Sequence, residues 1–149
     1  MPRLIDVTLL TISCEKNGFG GSIQVTGNVF GQTYNQDPRD PTIHQNPVVT
    51  KEIFPFLAGP VSVAVGAPAS IQMDDSVTFT LISPFLDAPG SSPPFLMITA
   101  NLDRIGLNAF VIDQHTPPGQ ENVDTPVDLT IAAPNVTVTL RFNLGLQIV

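Results

Sequence analysis

The stretch from Val136 to Val149 alternates between apolar side chains and small or polar ones over its whole length. The apolar set is Val136, Val138, Leu140, Phe142, Leu144, Leu146 and Ile148. Because a period of two sends alternate side chains to opposite faces of a β-strand, this pattern predicts one long strand with a dry face and a wet face. At about 3.3 Å per residue the strand would reach roughly 45 Å, which is long for a β-strand. The remaining chain must cover its dry face.

Shorter stretches repeat this alternation and predict further strands. Their ranges are 4–13, 22–30, 48–54, 61–65, 71–73, 76–82, 95–102, 109–112 and 127–131. The 15 Pro and 11 Gly residues cluster between these runs, as turn residues do, and no long run has a helical period. We therefore expect an all-β fold, an antiparallel β-sandwich of about eight strands. At 149 residues the chain has the length of one domain, which is expected to span residues 1–149.

Three irregularities refine the expected sheets. In the first predicted strand the apolar set changes phase between Leu9 and Leu10, which indicates a bulge or a change of sheet. Gly27 replaces a side chain on the dry face of the second, which indicates a bulge or a close approach of another strand. The last strand is expected to form a hairpin with the much shorter strand 127–131, so residues 144–148 need other cover. Their half of the strand should be central in a sheet or part of an interface.

Charge and cysteine content argue against several function classes. The chain has 6 Lys or Arg against 13 Asp or Glu, a net charge of −7, and its basic residues are scattered. This predicts no nucleic-acid binding and no unaided binding to an anionic membrane. Cys14 is the single cysteine, expected as a buried thiol, with an intermolecular bridge or a reactive thiol as alternatives. Arg3 and Asp6 interrupt any signal-peptide core, so we expect a cytoplasmic protein or one exported without a recognisable signal.

A long polar loop over residues 31–47 is a candidate ligand or partner site. It contains Tyr34, Asp37, Arg39, Asp40 and His44. Loops of this length are either functional or mobile connections, so the alternative is a solvated linker.

The sequence offers no arrangement typical of catalysis. It has no Gly-x-Ser-x-Gly elbow, and its two histidines, His44 and His115, lie in separate loops. One cysteine and two distant histidines do not give zinc spacing. We therefore expect neither an enzyme nor a bound cofactor, apart from the calcium considered below, and the alternative is a hydrolase that uses His44 or His115 in an unusual arrangement.

A distinctive segment runs over residues 96–111, where a predicted strand ends in Asn101-Leu102-Asp103 and continues as Arg104-Ile105-Gly106. Asn108-Ala109 and Phe110-Val111 follow. This order resembles the calcium-loop segment of C2 domains, in which an Asp-x-Asp pair precedes a basic residue, an apolar residue and a glycine, and a second acidic pair precedes the exit strand. The resemblance implies a C2-like sandwich with calcium ligands at Asn101, Asp103 and Asn108.

The segment also departs from the C2 pattern. Asn101, Asn108 and Ala109 carry no charge where that family has carboxylates, and residues 17–21 lack the acid of the first calcium loop. Any calcium site should therefore be of low affinity. Asn, Asp and Gly also suit any turn between strands, so an immunoglobulin-like strand order fits the alternation equally well.

These observations favour a non-catalytic module that acts through protein–protein interaction or self-assembly, with a homo-oligomer as one form. The alternative is loop-mediated, calcium-assisted binding of a membrane or a carbohydrate through Asn101, Asp103, Asn108 and the loop 31–47. With 9 Phe, 1 Tyr and no Trp, the chain has few rings for stacking on sugars.

Overall fold

The computed structural model describes residues 3–16, 21–34, 49–56, 59–73, 75–81, 95–113 and 124–148. Every regular element in these ranges is a β-strand, so no helix that could cross a membrane occurs in them. The strands are β1 (Arg3–Lys16), β2 (Ser22–Val25), β3 (Gly27–Tyr34), β4 (Val49–Pro55), β5 (Val61–Ala64), β6 (Ala69–Ser70), β7 (Val77–Leu81), β8 (Phe95–Leu102), β9 (Gly106–Asp113), β10 (Asp124–Ala133) and β11 (Val136–Ile148). The predicted all-β class is confirmed.

Two antiparallel sheets pack against each other around one apolar core. The first has the order β10-β11-β1, and the far side of β1 pairs with both β6 and β7. The second has the order β4-β3-β8-β9, and a small β2-β5 sheet extends one end. The predicted antiparallel β-sandwich is thereby confirmed. Cys14 is buried, as predicted.

Strand β11 lies inside its sheet and has a partner on each side. It pairs with β10 from Val136 to Gly145 and with β1 from Val136 to Ile148. The inward residues Val138, Leu140 and Phe142 are fully buried. The predicted hairpin with β10 is confirmed, and β10 has 10 residues where a shorter strand over 127–131 was expected. The C-terminal half of β11 is flanked on both sides as far as Gly145, and from Leu146 to Ile148 its partner among the described strands is β1.

The predicted irregularity at Leu10 is a β-bulge. The β1–β11 register shifts between Leu9 and Thr11, which lets both Leu9 and Ile12 face the core while Leu10 is 37% exposed. On its other side β1 changes partner here, from β7 to β6. The connecting chain bonds across the gap, because the Leu10 carbonyl accepts from Ile71 N at 2.8 Å and Leu9 N donates to Met73 Sδ at 3.2 Å. Ile71 and Met73, expected as a strand, lie outside the regular strands.

The predicted strand 22–30 is in fact two strands in different sheets. The chain breaks at Thr26, whose carbonyl accepts from Asp103 N at 2.8 Å, and resumes at Gly27 with φ of 146°. A Cβ on Gly27 would overlap the carbonyl oxygen of Asn101 and lie 2.9 Å from Leu102 Cα. The glycine therefore permits the close approach of β8 that the sequence indicated.

The two lateral seams of the sandwich, where edge strands of the two sheets face each other, are built differently. At the seam of β9 and β10, Asn108 Nδ2 donates to the Thr130 carbonyl at 2.7 Å. At the seam of β4 and β7, Lys51 Nζ donates to the Thr78 carbonyl at 2.8 Å and lies 5.8 Å from the ring centroid of Phe79. That ring is seated on Gly31, where a Cβ would collide with it.

Candidate functional site

The three predicted calcium ligands occupy the β8–β9 hairpin. Asn101 lies on β8, Asp103 in the turn and Asn108 on β9. Asn101 stands opposite Leu107 in the register, and Asn108 stands opposite Ala100, which is fully buried. Because neighbouring residues of a strand point to opposite faces, Asn108 lies on the core side of the sheet and Asn101 on its outer side.

Hydrogen bonds within the protein already engage the Asn108 amide. Its Nδ2 donates to the Thr130 carbonyl, and its Oδ1 accepts from Ala109 N at 2.8 Å. Asp103 is exposed in the turn, and only its backbone amide is fixed, on the Thr26 carbonyl. In the described part of the chain no three His, Cys, Asp or Glu side chains gather as metal ligands. Calcium binding therefore stays a prediction, and Asn108 has a structural bond across the seam.

The β8–β9 turn carries one strained residue. Ile105 N donates to the Leu102 carbonyl at 3.2 Å, and Arg104, the third residue of the turn, has φ of 65°. A positive φ at this position is typical of a type II turn, where glycine is usual. The turn presents the Arg104 side chain to solvent.

Of the predicted loop site, only Tyr34 lies in the described ranges. It is the last residue of β3, and its hydroxyl donates to Gln32 Oε1 at 2.9 Å. Gln32 Nε2 in turn donates to Thr50 Oγ1 at 3.4 Å. Asp37, Arg39, Asp40 and His44 lie outside the described residues, as does His115.

The outer face of the β10-β11-β1 sheet is rich in threonine and carries charge. Arg141 Nε donates to Asp128 Oδ1 at 2.8 Å and Arg141 Nη2 donates to Asp128 Oδ2 at 3.1 Å. The hydrogen bonds from this guanidinium hold the pKa of Asp128 below its ordinary value. Burial of the carboxylate has a slight effect in the opposite direction. Asp6 also lies on this face, where it accepts from Thr78 Oγ1 at 2.6 Å.

The outer face of the other sheet has a different chemistry. We define the β3–β8–β9 face by nine outward side chains, which are Asn28, Phe30, Gln32, Tyr34, Met97, Thr99, Asn101, Leu107 and Ala109. By register, Phe95, Val111 and Asp113 occupy the same side of the sheet at the end away from the β8–β9 turn. None of these nine is charged, and β4 adds the exposed Glu52 only at the rim, opposite Phe30. Leu107 is 63% exposed, the highest value among the exposed large apolar side chains of the described residues.

Thr99 lies near the centre of this face and is only 5% exposed. Its register partners are Phe30 on β3 and Ala109 on β9. Its Oγ1 has no hydrogen-bond partner. Neither the face nor this buried hydroxyl was identified from the sequence, because the alternation marks the outward residues of each strand without showing which strands are neighbours.

A groove of about 330 Å³ opens at the seam of β4 and β7. We call it the edge groove. Its apolar lining comes from Ile53, Phe54, Met73 and Val77, and Glu52 and Asp75 lie at its margin as exposed acids. A register shift near Ile53 turns the adjacent residues Ile53 and Phe54 toward the same groove.

Comparison with models of known protein families gives no match, and comparison with curated protein sequences gives no relative. The candidate surfaces therefore stand on their own geometry and chemistry. They are the uncharged β3–β8–β9 face and the acidic, apolar edge groove.

Proposed function

We propose that this chain is a non-catalytic module that acts by protein–protein contact, with self-association through the β3–β8–β9 face. The observation that carries the proposal is the 63% exposure of Leu107 on a face whose nine outward side chains are all uncharged. Interface cores are depleted in charge and enriched in aromatic residues and methionine, as in Phe30, Tyr34 and Met97.

The distribution of charge favours this face for contact between two copies. At a net charge of −7, two copies repel each other, and contact between surfaces that carry carboxylates adds to this repulsion. The outer face of the β10-β11-β1 sheet carries Asp6, Glu15 and Asp128 against the single cation Arg141, so stacking two such faces brings carboxylates together. The nine side chains that define the β3–β8–β9 face include no carboxylate, and the acids nearest to it, Glu52 and Asp113, stand at its rim and at the end of β9.

Stacking of two β3–β8–β9 faces would extend the layered packing of the fold. Packed sheets lie about 10 Å apart with interdigitated side chains. Leu107 would contribute the largest newly buried apolar area, and Asn28 and Asn101 have amides that can pair with their counterparts. The Gln32 amide is already bonded to Tyr34 and Thr50. Asn101, one of the predicted calcium ligands, belongs to this surface.

The alternatives gain no support from the described residues. For calcium-assisted recognition, the Asn108 amide is already bonded within the protein. For hydrolysis, His44 and His115 lie outside the described ranges. The interaction proposal rests on a surface whose members are all described.

The test is sedimentation velocity over a range of protein concentrations, comparing the wild type with Leu107→Glu. We expect concentration-dependent association of the wild type, weakened at least about tenfold by a buried carboxylate at position 107. Leu10→Glu is the matched control, because Leu10 is 37% exposed at the bulge in the other sheet. Circular dichroism verifies that both variants remain folded.

We expect Leu10→Glu to associate like the wild type. A wild type that stays monomeric at every concentration would contradict self-association. Equal weakening by both substitutions would show that added negative charge, and not this face, controls association.

A further inference from the structure

The two seams differ in how far they are closed. Asn108 bonds the β9–β10 seam directly to the facing sheet, and Phe110 of β9 packs 6.0 Å from the ring of Phe142. The β4–β7 seam is bonded at one end, by Lys51 to the Thr78 carbonyl. The edge groove lies beside that bond. In the described part of the chain, no strand fills the groove on this side of the sandwich.

Among the described residues, strand β4 has a partner on one side only, namely β3. Its free edge adjoins the groove, so its unpaired backbone groups and the apolar lining are available to the same ligand. A free strand edge is a template for an added strand. Pro55 has no N–H, so pairing along this edge is confined to the residues of β4 that precede it.

The lining of the groove specifies the composition of the ligand. Ile53, Phe54, Met73 and Val77 offer an apolar pocket, and its volume of about 330 Å³ is at the low end of ligand sites. Glu52 and Asp75 are exposed at its margin, while the nearby cation, Lys51, is directed at the Thr78 carbonyl. The margin therefore attracts positive charge around an apolar centre.

We propose that the edge groove binds an extended basic segment of a partner protein, added as a strand along β4. An apolar side chain of this segment enters the groove, and lysine or arginine on either side of it contacts Glu52 and Asp75. Apart from Glu52, which stands at the rim of both surfaces, the groove residues lie outside the β3–β8–β9 face, so the proposal does not depend on self-association.

The test uses fluorescence anisotropy in low salt with a short acetylated peptide that alternates lysine and leucine. We expect saturable binding that weakens about fivefold when Glu52→Gln and Asp75→Asn are combined, the size typical of two exposed ion pairs. The control is Asp103→Asn, which removes an exposed carboxylate from the β8–β9 turn. It should change the affinity less than about twofold, the scale of a distant screened charge.

Two altered peptides examine the apolar pocket and the backbone pairing. Replacement of leucine by serine should abolish binding, because the pocket is then unfilled. Backbone N-methylation on the edge that would pair with β4 should also abolish binding, because it removes the ladder hydrogen bonds. The proposal is overturned if either peptide binds like the parent, or if Asp103→Asn weakens binding as much as the groove substitutions.

Two further outcomes would also overturn the proposal. No peptide binding at millimolar concentration would mean that the groove is closed to an added strand or filled by another segment of this chain. If the groove substitutions weaken self-association and leave peptide binding unchanged, a second copy is the occupant.

Discussion

Gly27 is the residue at which the chain passes from the β2-β5 sheet into the β4-β3-β8-β9 sheet. Its φ of 146° is one that L side chains rarely adopt, and the space of its Cβ is taken by the Asn101 carbonyl. Gly66 also has a positive φ, 81°, but nothing lies within 4 Å of its Cβ position. Substitutions at Gly27 and Gly66 can therefore be compared to separate the cost of backbone strain from the cost of steric overlap.

We expect Gly27→Ala to lower the free energy of unfolding by about 3 kcal/mol or more, because strain and overlap add. Gly66→Ala should lower it by roughly 1 kcal/mol, the strain of a left-handed residue alone. Urea denaturation followed by circular dichroism measures both. Similar losses for the two variants would show that β8 can move away from Gly27.

Removal of the unpartnered hydroxyl of Thr99 should stabilise the protein, whereas the two glycine substitutions should destabilise it. Thr99→Val keeps the branched shape and removes a buried oxygen that has no hydrogen bond. We expect the free energy of unfolding to rise by about 1 kcal/mol. Thr130→Val is the control, since Thr130 is exposed and its Oγ1 lies 3.2 Å from Thr139 Oγ1. A gain for Thr130→Val equal to that for Thr99→Val would trace the effect to β-propensity alone.

At the scale of elements, alternation and its interruptions predicted much of the fold. The long run at the C-terminus identified β11, and the expectation that its C-terminal half needs a neighbour besides the hairpin partner agrees with its pairing to β1. The partner itself, β10, is longer than the expected strand 127–131. The phase change at Leu10 identified the bulge. Each inference used a local rule about which side chains face the core.

The same rule failed where one run serves two sheets. Ile23, Val25 and Val29 alternate through the break at Thr26, because both halves bury the same set of positions. Ile71 and Met73 alternate without forming a strand, since they pack on the core while Met73 Sδ accepts the Leu9 amide. Sequence alternation records burial and does not record the hydrogen-bond partner.

Strand β11 gives a prediction at this scale. Deletion of residues 144–149 removes the part of β11 that pairs with Arg3 to Val7 of β1, and it uncovers the fully buried Ile5 and Val7. We expect loss of the cooperative thermal transition, measured by circular dichroism, and a larger hydrodynamic volume on size-exclusion chromatography. An unchanged melting temperature and size would mean that the remaining strands cover β1 unaided.

On the scale of the whole molecule, the candidate sites were less predictable than the fold. The β3–β8–β9 face depends on the order β4-β3-β8-β9, which joins strands distant in sequence. The calcium prediction used a local resemblance, which could not show that Asn101 and Asn108 face opposite sides or that Thr130 of the other sheet engages the Asn108 amide. Both facts come from pairing across the fold.

The two candidate surfaces differ in their chemistry. The β3–β8–β9 face is broad and uncharged, whereas the edge groove is narrow, apolar and bordered by Glu52 and Asp75. A neutral face suits a second copy of an acidic chain, and an acidic margin suits a basic partner. Glu52 borders both surfaces, whereas Leu107 belongs only to the face and Asp75 only to the groove, so substitutions at these two residues alter one surface without the other.

The pairing of β1 with β11 also determines how this protein can reach its native state. Ser13 and Thr139, bonded across that pair, are 126 residues apart in sequence. Closing so long a loop loses much chain entropy before any contact compensates, so folding should be slow for a chain of this length. During synthesis β6 and β7 become available to one edge of β1 well before β11 is made. The other edge of β1 must remain without β11 through that interval, when the chain is most exposed to aggregation.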